Sequence, residues 1–341
     1  MDRIKKTLYS LCEEMTVTGF EYRAEKKIKE LCGDVFDSIE MTPMGSFVMV
    51  KKCGRQNAPK MLIDAHLDTV GMMVTDLKKG GFLSVTSLGG LDSRVLPASD
   101  VTVYGKEPIY GVITSTPPHL RKAGADSVPK VEELYIDTGY SLDELKKLVT
   151  IGDPVGYRFA FTELANDYIL TQGLDDKACL CGVIEAMREL KREDMAYDVY
   201  VTASSQEETG KNGSARACFD IEPDIAITTD VNFAYGDGTP EYESIKCTEG
   251  ASVDISSLTD KSLTRNILKL LKDKGIKHQV ICEPGRTCTN NEGLLISGKG
   301  IRTAVLSVPL KSMHTPGETV NLKDILSLKE IILAIVGQEN L

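Results

Sequence analysis

Apolar positions recur along this chain in two textures. Over residues 3–15 and 22–32 they return at helical spacing, with Ala24, Ile28 and Leu31 on one face of the second segment. That predicts two helices joined by a turn at 16–20. Runs rich in β-branched and aromatic residues follow, and residues 45–50 and 61–65 read as strands, the second leading straight into His66-Leu67-Asp68. Beyond residue 155, strands and helices alternate. A strand is expected at 168–171, then a helix running to 192 with Leu180, Val183, Ile184, Met187 and Leu190 as its apolar face. A strand at 199–203 follows, then a short helix at 213–218, a strand at 224–229 ending at Asp230, a helix at 260–274, a strand at 303–308 and a closing helix at 322–336.

Between 71 and 155 the pattern is different. Short β-like runs at 82–87, 101–104, 110–114 and 134–136 alternate with Gly, Pro, Asp and Lys turns, and 141–148 is the one clear helix, with Ser141 as its N-cap. Many short strands in succession predict a small β-barrel or sandwich-like module. Because the strand–helix alternation resumes afterwards, 71–155 is expected to be an insertion. The host is then a single α/β domain, residues 1–70 and 156–341, with a mixed, mainly parallel sheet and helices on both faces.

A chain of 341 residues is long for one simple core, which suits this division. The formal net charge of −10 argues against nucleic acid and anionic membrane surfaces as partners. No apolar run is long enough to span a bilayer, and the opening residues lack a secretory pattern. The nine cysteines are scattered and never form a Cys-x-x-Cys pair, which reads as free thiols in a reducing, cytoplasmic setting.

The chemistry lies where the strands end. His66 and Asp68 follow one expected strand, Glu207 and Glu208 a second and Asp230 a third, while His314 lies just past a fourth and Asp175 immediately before a helix. Each has an ordinary explanation by itself: Asp175 as an N-cap, Asp68 and Asp230 as turn residues, the Glu pair as a solvated first turn, the histidines as half-buried or surface groups. A metal site in the crevice outside the carboxyl ends of the strands explains them together. Imidazole and carboxylate donors suit zinc, cobalt or manganese, and the absence of a thiolate points to a catalytic site. Two divalent ions need a bridging carboxylate and terminal ligands on each side, leaving one carboxylate as base and one to orient a histidine.

The ordered series His66-Leu67-Asp68, Leu174-Asp175-Asp176-Lys177, Gln206-Glu207-Glu208-Thr209-Gly210, Thr229-Asp230-Val231 and Ser312-Met313-His314-Thr315-Pro316 resembles the M42 family of metallo-aminopeptidases. These are relatives of the tetrahedral aminopeptidases, and some members carry the label endoglucanase or fructose-operon protein. The resemblance covers essentially the whole chain, and residues 111–120 and 151–155 look like that family's insertion domain. It implies two divalent metal ions per subunit, with Asp175 bridging through a cis peptide to Asp176, His66 and Asp230 completing one metal, and Glu208 and His314 the other. It implies that Asp68 accepts from His66 and fixes its tautomer. Glu207 would be the general base for attack of a metal-bridged water on the peptide bond, releasing N-terminal residues from short peptides. His119, in the insertion, either reaches an active site or is structural. The resemblance further implies that the insertion forms dimers and that dimers build a dodecameric shell.

The chain also departs from that family. Gly285-Arg286-Thr287-Cys288-Thr289-Asn290 stands where most members have Gly-Gly-Thr-Asp-Ala, so a carboxylate is lost and a cation gained. Lys311-Ser312 replaces Arg-Tyr, and Lys177 replaces an arginine whose bidentate fork lysine lacks. Every ligand and base position persists, so these changes bear on substrate preference and turnover. Arg286 hints at acidic substrates, or pairs with a surface acid. Two alternatives stand beside the aminopeptidase: a degenerate metal-binding member without turnover, and a glycosidase working through a carboxylate pair, which leaves the histidines and Asp175 without a purpose.

Overall fold

A computed structural model describes residues 1–114, 128–236 and 238–341. In chain order the elements are α1 (Asp2–Glu13), α2 (Glu25–Cys32), β1 (Ser38–Met41), β2 (Phe47–Lys51), β3 (Lys60–His66), β4 (Gly71–Leu77), β5 (Phe82–Leu88), β6 (Asp100–Tyr104), β7 (Pro108–Ile113), β8 (Tyr135–Asp137), α3 (Leu142–Leu148), β9 (Pro154–Tyr157), β10 (Thr162–Glu163) and β11 (Tyr168–Thr171). They continue with α4 (Leu174–Glu189), β12 (Asp198–Ser204), α5 (Glu207–Gly210), α6 (Asn212–Ile221), β13 (Ile225–Phe233), β14 (Ser252–Ser256), α7 (Lys261–Lys274), β15 (Gln279–Glu283), α8 (Asn291–Leu295), β16 (Arg302–Lys311), β17 (Glu318–Asn321) and α9 (Leu322–Val336).

One mixed sheet runs β1-β2-β12-β3-β13-β16-β17-β11-β10, with β14 and β15 attached beside β16. Its centre is parallel: β12 pairs with β3, β3 with β13, and β13 with β16. Val201, Ile63, Ile227 and Ala304 line up in register across those four strands, and all are fully buried. Parallel strands covered on both faces need such near-continuous apolar runs. α1, α4, α7 and α9 contribute to the main core on one face, while α6 and α8 pack Ala217, Cys218, Ile221 and Leu294 against Leu62 and Ala226 on the other.

The strands between Gly71 and Tyr157 form a separate closed barrel, β4-β5-β8-β7-β6-β9, around Met72, Val74, Leu83, Val85, Val101, Val103, Ile136 and Val155. The chain enters on β4 and leaves on β9, and these two pair with Met72 opposite Val155. Helix α3 opens on the capping box that Ser141 announces: its hydroxyl accepts from the Glu144 N–H, and the Glu144 carboxylate accepts from the Ser141 N–H at 2.8 Å.

The structure adjusts several expected boundaries. Asp230 does not end its strand, because β13 continues to Phe233. Asp175 lies inside the first turn of α4, where it and Asp176 have non-helical dihedrals. The sequence pattern does not mark β1, β4, β9, β10, β14, β15 or β17; in β1 and β14, Ser38, Glu40, Ser252 and Asp254 break the apolar run that marks a central strand. His119 lies outside the described residues. Among the described residues no helix is long and apolar enough to cross a membrane.

Candidate metal centre

Parallel register brings the site together. Ser204 pairs with His66, so the turn carrying Glu207 and Glu208 emerges beside that histidine. Asp64 pairs with Thr228, which sets Asp230, two residues on, level with His66. Asp175 arrives from the start of α4, and its peptide bond to Asp176 is cis. His314 comes from the loop after β16, in a left-handed conformation with φ 62°.

Asp175 stands between the two histidines. Its Oδ1 lies 2.9 Å from His66 Nε2, and its Oδ2 lies 3.1 Å from His314 Nε2. Asp230 Oδ1 is 3.8 Å from His66 Nε2, and Glu208 Oε1 is 3.3 Å from His314 Nε2. The donors thus form two clusters that share Asp175: His66, Asp175 and Asp230, then Asp175, Glu208 and His314, with all candidate ligand atoms of a cluster within 4.8 Å of one another. Ligand atoms sharing one ion at about 2.0–2.2 Å have separations on the order of 3–3.5 Å.

Both imidazoles are oriented from behind by a main-chain carbonyl. His66 Nδ1 is 2.9 Å from the Asp68 carbonyl oxygen, and His314 Nδ1 is 2.9 Å from that of Gly90. A carbonyl only accepts, so Nδ1 carries the proton and a neutral ring turns its Nε2 lone pair towards a carboxylate. Two lone pairs facing each other repel unless a proton or a metal ion lies with them. Burial opposes a charged His314, but hydrogen bonding with Asp175 and Glu208 outweighs it and raises its pKa to about 11. Either protons or a divalent ion can relieve that repulsion, and the donor set suits zinc, cobalt or manganese.

Asp68 meets His66 chiefly through its main chain. Its carboxylate sits 3.7 Å from His66 Nδ1, and the main-chain carbonyl makes the closer contact. The carboxylate instead accepts the N–H groups of Glu207 and Glu208, at 3.0 and 3.1 Å, holding the acidic turn. Glu318 is a supporting residue that sequence reasoning missed. Fully buried beneath the site, it accepts from the main-chain N–H of Leu174 at 2.7 Å, of Asp175 at 3.3 Å and of His314 at 2.8 Å. Burial and then the charge of Asp175 push it up to about 8. Gly89 and Gly90 allow the barrel's loop to come close: a Cβ on Gly89 would lie 3.3 Å from the Glu208 Cβ, and Gly89 has a φ of +82°.

Glu207 belongs to neither cluster. Burial, with the like charge of Glu208, raises it to about 7 against the opposing influence of His66. Its Oε1 makes no hydrogen bond among the described residues, and Lys211 Nζ lies 3.8 Å from it. A carboxyl poised near neutral pH beside two candidate ion positions has the properties of a general base.

The departures acquire physical roles. Asn290 donates to Asp64 Oδ2 at 2.8 Å and Ser204 Oγ at 2.9 Å, tying α8 to β3 and β12 beneath the centre. Arg286 pairs with Glu292 through Nε and Nη2. Lys177 is fully buried and donates to the Glu14 carbonyl at 3.0 Å. Lys311 lies over the Tyr168 ring, 5.5 Å from its centroid. Beside the centre opens a cavity of about 470 Å³, lined by all five candidate ligands, Glu207 and the segments 231–233 and 281–289.

Comparison with known proteins places the chain among the peptidases, enzymes of the hydrolase class. The sequence profile of the M42 glutamyl aminopeptidase family matches residues 45–331, and the chain belongs to that family. It is 30% identical to the lysyl aminopeptidase of Pyrococcus furiosus, over 92% of this chain and 91% of that protein. Among solved structures, the TET1 peptidase of Pyrococcus horikoshii, which can assemble into a tetrahedron or a large octahedral shell, superposes with a TM-score of 0.86 at 27% identity, covering 98% of this chain and 99% of that one. A TET aminopeptidase from a marine sediment thaumarchaeon shares the fold, with a TM-score of 0.93 at 24% identity over 100% and 97% of the two chains. M42 peptidases are metal-dependent.

Proposed function

We propose that this chain is a di-metal aminopeptidase that removes N-terminal residues from short peptides, with Glu207 as general base. The observation that carries the reading is the single carboxylate of Asp175, which offers one oxygen to each histidine. In this reading His66 and Asp230 hold one ion, Glu208 and His314 hold the other, and Asp175 serves both. When bound, the ions (zinc, cobalt or manganese) polarise the scissile carbonyl and stabilise the charge that develops on its oxygen. Glu207 takes a proton from the attacking water and delivers it to the leaving amine, a task matched by its pKa of about 7. Asp68 fixes the turn from which Glu207 reaches the reacting atoms, and the carbonyls of Asp68 and Gly90 hold the imidazoles in one tautomer. A glycosidase using a carboxylate pair has no use for the histidines clustered with Asp175.

The β4–β9 barrel is assigned to dimer formation, and dimers to a dodecameric shell. Tyr110 and Ile151, 61% and 62% exposed on this module, are apolar surface that a partner subunit can cover. Light scattering should give a mass far above one subunit; a single-subunit mass at every concentration refutes the assignment. A cytoplasmic setting is consistent with nine cysteines, none of them in a disulfide.

The test of function is hydrolysis of chromogenic aminoacyl substrates by cobalt- or zinc-loaded protein, with and without chelator. Chelator-sensitive release from unblocked substrates is expected, and Glu207→Gln should lower kcat by about 10²–10⁴ with both metals retained. Equal turnover by parent and variant removes Glu207 from the mechanism, and silence of the loaded parent supports a degenerate member.

A further inference from the structure

The turn that carries Glu207 and Glu208 is gripped from outside at each residue, and one of the holders lies far back in the chain. Ser46 Oγ accepts the Ser205 N–H at 3.1 Å, and Glu21 Oε1 accepts the Gln206 N–H at 3.0 Å. Asp68 takes the N–H groups of Glu207 and Glu208. Thr18 Oγ1 then lies 3.2 Å from Thr209 Oγ1. Successive N–H groups from 206 to 208 therefore end on two buried carboxylates, and Glu21 is only 1% exposed.

The acceptor at Gln206 matters because of the backbone there. Gln206 has φ 59° and ψ 29°, a left-handed conformation that residues other than glycine keep only where their surroundings impose it. The bond to Glu21 is one such constraint, placed on the residue immediately before Glu207. Glu21 is itself fixed. Its Oε1 also accepts the Gly19 N–H at 2.9 Å. The segment before it is stitched to the loop behind His66, by Thr18 N–H to the Thr69 carbonyl at 3.0 Å and Thr69 N–H to the Thr16 carbonyl at 2.9 Å. Residues 16–21 thus join the loop after one ligand to the turn that holds the proposed base. A misplacement of about 1 Å at a reacting group can cost on the order of 10²-fold in rate.

We propose that Glu21 is a positioning residue for the peptidase reaction: acting through the main chain of Gln206, it sets where the Glu207 carboxyl stands at the metal centre, and it does so as a hydrogen-bond acceptor. This rests on the aminopeptidase reading above. Burial, and then the charge of Asp68, raise Glu21 to about 7, so a neutral acceptor of the same shape should serve nearly as well.

The experiment is a double-mutant cycle on metal-loaded protein, with an unblocked aminoacyl 4-nitroanilide as substrate. Glu21→Leu should lower kcat by about 10–100-fold, with KM within about twofold of the parent and both metals retained. Glu21→Gln, whose amide oxygen still accepts both N–H groups, should keep kcat within about threefold. Added to Glu207→Gln, the Glu21→Leu change should cost less than about twofold more, because residues that act through one reacting group are not additive. Parent-like kcat in Glu21→Leu, equal losses in Glu21→Leu and Glu21→Gln, or a full further loss in the Glu207→Gln background overturns the proposal. If Glu21→Leu is insoluble, Glu21→Ser, which admits water to the freed N–H groups, takes its place in the cycle. If the loaded parent cleaves no unblocked substrate, the aminopeptidase reading fails, and amide hydrogen exchange then decides on Glu21 separately. Faster exchange over residues 205–210 in Glu21→Leu, restored in Glu21→Gln, sustains its hold on the turn, and unchanged exchange there overturns it.

Discussion

The carboxylate of Asp68 receives the main-chain N–H of Glu207 at 3.0 Å, with the Glu208 N–H on its other oxygen at 3.1 Å. One buried acid thus sets the position of the proposed base and of a proposed ligand. Asp68→Asn places an amide NH₂ against one of those N–H groups. We expect kcat to fall by about 10–100-fold, with metal lost from the Glu208–His314 side first. His66 keeps its carbonyl contact to residue 68, so the other position should stay filled. Metal analysis beside kinetics checks this; loss of both metals together would return to Asp68 the role of orienting His66.

Metal binding should release protons. The pKa of His314 is raised to about 11 and that of His66 lies well above its ordinary value, because hydrogen bonding to the acids outweighs burial. At neutral pH both rings are therefore protonated in the cation-free protein, and a ligating ring must lose its Nε2 proton. Affinity for zinc should rise with pH. Calorimetric titrations in buffers of different ionisation enthalpy should report net release, and buffer-independent heats would contradict the arrangement.

The cation-free protein should lose stability as pH rises. Burial raises Glu21 and Asp254 to about 7 and Glu318 to about 8, above their ordinary values near 4. Between about pH 4 and pH 8 the folded chain thus binds more protons than the unfolded one, so stability falls across that window. His314 acts in the same direction above about pH 6.5. The thermal midpoint of metal-free protein should be lower at about pH 8 than at about pH 5.5, and added zinc should recover part of the difference at the higher pH. A midpoint that climbs with pH in metal-free protein would refute this.

Asn290 and Asp64 form a matched donor and acceptor at 2.8 Å. Asn290→Asp sets an acid against a buried carboxyl already raised to about 6 by burial. A loss of about 2–4 kcal/mol is expected. It should be larger at about pH 8 than at about pH 5, where the pair can share a proton. Denaturant unfolding at the two pH values measures it, and a neutral effect would mean that Asp64 finds another donor.

The residues that converge on the centre could be read from the sequence because each stands where a strand or helix begins or ends, and parallel register does the rest. The supports could not. Glu318 opens a short strand after Pro316-Gly317 and looks like any edge residue, yet its partners Leu174 and His314 meet only after folding. The Asp68 carboxylate likewise serves a turn far along the chain, whereas the family resemblance implied His66 as its partner. β14 is hidden in the sequence because Asp254 and Ser252, polar and buried, satisfy each other instead of facing water.

The barrel's first and last strands, β4 and β9, are hydrogen-bonded neighbours. The chain therefore returns to the main sheet almost where it left, and the sheet's own threading does not depend on what lies between. Such a junction lets an ancestral peptidase gain, lose or exchange the whole module as a cassette. One inherited constraint is the loop at Gly89 and Gly90: any replacement must still bring a carbonyl to the back of His314.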